Sequence, residues 1–104
     1  MNFAETLKTL PAITHLAALQ LLDAQSQVLA TIENKPGQAG SLAVYAALAQ
    51  RHGAITPAAA AEGLVLYAEH TADAQAHPGK HPNIDRLLAW AEGSASYPVQ
   101  LVTA

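Results

Sequence analysis

Three of the chain's five histidines, three carboxylates and two His-Pro steps are gathered in one stretch, "EHTADAQAHPGKHPNID", Glu69 to Asp85. His70, Asp73 and His77 are spaced i, i+3, i+7, which sets three ligand-type side chains on one side of a helix over two turns. A chain reversal at Pro78-Gly79 would let His81 fold back as a fourth. Neutral imidazole and carboxylate suit zinc and other divalent ions, so His70, Asp73, His77 and His81 make up a candidate metal set. The spacing permits that chemistry without being specific to it. No His-x-x-x-His pair lies inside one uninterrupted helix, and the turn falls between His77 and His81.

A plainer reading accounts for the same residues. At 100° per residue a helix from Pro57 to about His77 puts Glu62, Glu69, His70, Asp73 and His77 within one polar arc opposite an Ala-rich face. Leu66 falls inside the arc and blurs the division. His77 suits the C-terminal end of the dipole when protonated, Asn83 or Asp85 suits the first turn of the next helix, and Arg86 has carboxylates nearby to pair with. The weight of the sequence is on a solvated helical face, with the metal set as the alternative. No catalytic residue is assigned. "PGQAGS" before a helix offers backbone N–H groups to an anion but lacks both the P-loop ending and the Gly-x-Gly-x-x-Gly pattern. Tyr45 and Tyr67 read as half-buried helix residues, and His15 and His52 as peripheral or hydrogen-bonded.

The elements that would position these groups follow from periodicity and punctuation. Phe3, Leu7 and Leu10 make an apolar stripe ended by Pro11, a short helix. Ala17 to Leu22 and Val28 to Ile32 are apolar runs on either side of the polar "DAQSQ", a hairpin with a five-residue loop. Pro36-Gly37 suits the centre of a type II turn. Ser41 is the expected N-cap of a helix that stops at Gly53, and Thr56-Pro57 opens the long helix, with Gly63 inside it. Ile84, Leu87, Leu88 and Ala91 give the last helix its buried face. Tyr97, Val99 and Leu101 alternate in a final strand that Pro98 confines to an edge or a strand start. The order predicts a single α+β domain over residues 1–104: a small three-stranded antiparallel sheet covered on one face by about four helices.

Composition removes several classes of function. Five Lys or Arg residues, scattered singly against eight carboxylates, build no basic face, so nucleic acid is not an expected partner. No cysteine is present, which excludes disulfides and thiolate chemistry. No run approaches the ~20 apolar residues of a membrane span. The first residues do not form a signal peptide, and the cytoplasm is the expected location. Of the hydrophobic half of the chain, 24 residues are Ala, which favours close helix packing or a partner subunit.

"IENKPGQAGSLAVY", "AAAAEGLVLYAEHTADA" and "HPGKHPNIDRLL" together resemble a family of small bacterial proteins known only as a domain of unknown function. The resemblance spans nearly the whole chain. It implies a soluble, stand-alone bacterial protein and transfers no site, substrate or cofactor. The functional expectation is a non-enzymatic binding or interaction domain that self-associates as a homo-oligomer and needs no cofactor. Its small-molecule ligand is unknown, and the alternative is a divalent-metal protein or metal-dependent enzyme.

Overall fold

A computed structural model describes all residues from Met1 to Ala104. Five helices and three strands follow one another as α1 (Phe3–Leu7), β1 (Leu16–Leu22), β2 (Val28–Glu33), α2 (Ala39–His52), α3 (Pro57–Leu66), α4 (Glu69–Ala76), α5 (Pro82–Ala91) and β3 (Val99–Thr103). The sheet is antiparallel with β1 between β2 and β3. The expected α+β architecture is therefore present, with five helices rather than about four.

The hairpin loop is held by Asp23, whose carboxylate accepts from the N–H groups of Gln25 and Gln27 at 2.8 and 2.9 Å. Lys35 and Gln38 close a turn around Pro36-Gly37, with Gly37 at φ 88°. Gly53 ends α2 in the left-handed region, and Thr56 caps α3 by accepting from the Ala59 N–H at 3.0 Å. α1 carries a full capping box between Asn2 and Glu5, a signal the spacing of its apolar residues does not reveal.

Two helices depart from expectation. α2 begins at Ala39, two residues before the expected Ser41 cap, and no side chain caps it. Ser41 instead accepts a hydrogen bond from the Tyr67 hydroxyl at 2.7 Å, which ties α2 to a residue distant in sequence. The long helix from Pro57 to His77 is two helices, α3 and α4. They are broken at Ala68, whose φ of 55° and ψ of −121° belong to no helix. The Thr71 hydroxyl seals the break by donating to the Leu64 carbonyl at 2.6 Å. The single polar arc consequently does not exist. Glu62 stays on α3 and pairs with Arg51 and with His52 of α2, while Glu69 accepts from the Phe3 N–H at 2.7 Å.

The core lies between the sheet and α2, with α3 behind α2 and α5 against α3. Leu19, Leu21 and Ile32 meet Leu42, Tyr45 and Leu48 there, all fully buried. Each such side chain contributes about 1.5–3 kcal/mol. Gly63 lets α3 approach: a Cβ at that position would lie 2.7 Å from Leu87 and 2.8 Å from Leu48. Across the sheet Ile32, Leu19 and Leu101 form one row, in which the first two are 1% and 0% exposed and the third 48%. The helical layer covers β2 and β1 and stops short of β3.

Candidate functional site

The histidine stretch folds into α4, the turn at Pro78-Gly79 and the start of α5. Pro82 occupies the first turn of α5, where its missing N–H is not needed. The Gly79 N–H donates to the Asp85 carboxylate at 2.8 Å, which fixes the turn. Asp73 is the hub of this region. One of its oxygens lies 2.6 Å from His81 Nε2 and 2.9 Å from Lys80 Nζ, and the other is 3.9 Å from His77 Nε2. These contacts, the His81 hydrogen bond first and Lys80 second, hold the Asp73 carboxyl down at about 2.

Of the four candidate ligands, Asp73 and His81 are brought into contact, His77 lies at the edge of the cluster, and His70 turns elsewhere. The His70 ring stands edge-on to Phe3 at 5.0 Å and tilted to His81 at 5.8 Å between centroids. No group of three or more histidine, aspartate and glutamate side chains is arranged to hold a metal ion. Lys80, absent from the sequence-derived set, shares the Asp73 oxygen that His81 uses. Its position between Gly79 and His81 is the signal that would have found it.

Beside this cluster a cleft of about 460 Å³ opens between α1, the start of α2, the α3–α4 break and the α4–α5 turn. Phe3, Leu7 and Ile84 are among its apolar lining residues, and His70, Lys80 and His81 are its basic ones. The Phe3 ring stacks on Tyr67 at 5.4 Å and 17°. Burial pushes the Tyr67 hydroxyl well above the ordinary tyrosine value and that of Tyr45 up to about 12. Both remain hydrogen-bond donors at neutral pH, Tyr45 to the Asn83 carbonyl and Tyr67 to Ser41. The two tyrosines thus tie α2 to α5 and to the α3–α4 break.

A second hollow, of about 470 Å³, lies between α2 and β3, lined by Ile13 and Leu16, Ala46 and Ala49, and Val99 and Leu101. β3 is a sheet edge. The Leu22 N–H donates to the Pro98 carbonyl, so alternation along the ladder turns the main-chain groups of Val99, Leu101 and Thr103 away from β1. Ile55 pairs with Tyr97 just before the strand and covers the edge only there. No charged residue occurs from Tyr97 to Ala104, and Leu101 and Val102 are exposed.

These features define a small α+β domain in which one helical layer packs on a three-stranded sheet that has an open, uncharged edge. The chain belongs to the family described as an uncharacterized protein conserved in bacteria (DUF2322), whose model matches residues 3–101. Neither a curated protein nor a solved structure matches it. No helix is long and apolar enough to cross a membrane.

Proposed function

We propose that this protein is a non-enzymatic interaction domain that pairs with a second copy of itself through the β3 edge. The observation that carries the reading is the row Ile32, Leu19, Leu101, which is sealed at its first two members and half open at the third. Leaving Leu101 half uncovered forgoes about 1 kcal/mol of burial that a partner would recover. The open main-chain groups of Val99, Leu101 and Thr103 ask for another strand, since an edge strand with no charge or proline within it is a template for pairing. The register shift in this ladder falls on β1, at Ala17, leaving β3 itself unbulged.

A second copy fits this edge. Antiparallel β3–β3 pairing about a two-fold axis sets the same uncharged residues against one another, so no like charges meet. It also extends the sheet to six strands and brings apolar surface over the hollow beneath Val99 and Leu101. The β2 edge is less suited: it carries a bulge opposite Leu21 and Leu22, and Glu33 and Lys35 stand at its end.

Light scattering coupled to size exclusion tests the proposal. The wild-type protein is expected to show a dimer mass that falls toward the monomer on dilution, and Leu101→Lys to remain monomeric with its fold unchanged by circular dichroism. A wild-type monomer at every concentration would refute the pairing. The metal reading is weakly supported by comparison, because Lys80 already places a positive charge on the Asp73 oxygen a cation would need.

A further inference from the structure

The eight carboxylates outnumber Lys and Arg in this chain, yet none of the 13 residues lining the cleft beside α4 is acidic. Its titratable side chains are Lys80, His70, His81 and the buried Tyr67. Neighbouring carboxylates have other partners and do not line the cleft: Asp73 binds Lys80 and His81, Glu69 receives the Phe3 N–H, and Asp85 receives the Gly79 N–H. Lys80 has N–H donors beyond the one it gives Asp73, His70 has a ring N–H, and His81, whose Nε2–H goes to Asp73, offers Nδ1–H in its protonated form. Beside them in the lining, Phe3, Leu7 and Ile84 offer apolar surface, with the Phe3 ring held in place by stacking on Tyr67 and by its contact with the His70 ring.

The backbone around the cleft is kept in a costly arrangement. Ala68 lies between Tyr67 and His70 in a conformation that non-glycine residues rarely adopt, and such outliers persist where the surroundings over-determine them. Without that break α4 would continue the line of α3, and His70 would lose its place on the wall. Gly40, also in the lining, leaves room for Phe3, since a Cβ there would lie 3.1 Å from the ring. The volume, about 460 Å³, is in the range of sites for small organic molecules.

From this geometry we infer that the cleft binds a small organic anion, with its oxyanion group against Lys80 and His81 and a flat apolar body against Phe3 and Ile84. Asp73 acts as a positioning residue, because it anchors both the ammonium and the imidazole that meet the ligand.

Two probes separate the carboxylate and phosphate forms of such a ligand: benzoate and phenyl phosphate, each titrated into ¹⁵N-labelled protein and followed by amide shifts. At least one should move the Gly40, Ser41, His70 and His81 amides saturably, while benzyl alcohol binds more weakly. Lys80→Glu reverses an exposed side chain that pairs with Asp73, so its circular dichroism is compared with wild type. It should weaken the binding probe by at least roughly tenfold, one lost charge-assisted contact being the lower bound because the new carboxylate also repels the anion. Lys35→Glu, outside the cleft, should leave affinity unchanged. Absence of saturable shifts at those amides with both probes, or equal affinity in wild type and Lys80→Glu, would overturn the inference.

Discussion

Asp73 and His81, eight residues apart in sequence, are joined at 2.6 Å across the α4–α5 turn. Because His81 and then Lys80 favour the ionised carboxylate, the Asp73 carboxyl titrates near 2 in the folded protein against an ordinary value of 3.8. A lowered folded value means that the contribution of this contact to stability is fully present above the ordinary value. It is lost as pH falls from there through about 2. Carboxyl-carbon NMR should give a midpoint near 2 for Asp73, and His81→Gln should move it upward. A wild-type midpoint at the ordinary value would mean that the contact is not formed in solution.

Ala68 offers a test of the helix break. Its φ of 55° with ψ of −121° suits glycine, so Ala68→Gly relieves strain of about 1–3 kcal/mol and adds the ~0.5–1 kcal/mol entropic cost of glycine. The expected net result is stabilisation by about 1 kcal/mol in denaturant melts. Ala68→Val should destabilise. An unchanged or lower stability for Ala68→Gly would show that α3 and α4 are not separated in this way.

Gly63 reports on the packing of α3 against α2 and α5. An added Cβ meets the Leu87 and Leu48 side chains, both fully buried, at 2.7 and 2.8 Å. Overpacking of this kind costs about 1–3 kcal/mol, and the gain in helix propensity returns ~1 kcal/mol. Gly63→Ala should therefore lower stability by about 1 kcal/mol, read from the denaturant midpoint. A gain would mean that the helices stand further apart.

The elements with their own punctuation were legible in the sequence: the hairpin around Asp23, the Lys35–Gln38 turn, the Gly53 stop and the Thr56 cap each have a local chemical cause. The break at Ala68 was not. "GLVLYAEHT" has no proline there and its one glycine lies five residues upstream, so the local signal favours continuing the helix. Contacts between residues distant in sequence oppose that signal, with Ser41 holding Tyr67 and the Phe3 N–H holding Glu69. The candidate site suffered from the same blindness. A helical wheel drawn through Ala68 sets His70 and Glu69 beside Glu62, whereas the fold sends Glu62 to Arg51 and His52. The turn that brings His81 to Asp73 was foreseeable from Pro78-Gly79, and the same turn carries Lys80, which fell outside the candidate metal set because an ammonium is not a ligand.

The pairing of β3 with a second copy is most directly read from amide hydrogen exchange as a function of protein concentration. The N–H groups of Val99, Leu101 and Thr103 point away from β1 and have no backbone acceptor within the chain. Protection at these three positions that rises with concentration, while the Gln100 amide on the β1 side stays constant, is the predicted result. Equally fast exchange at Val99, Leu101 and Thr103 from the lowest concentration to the highest would contradict it.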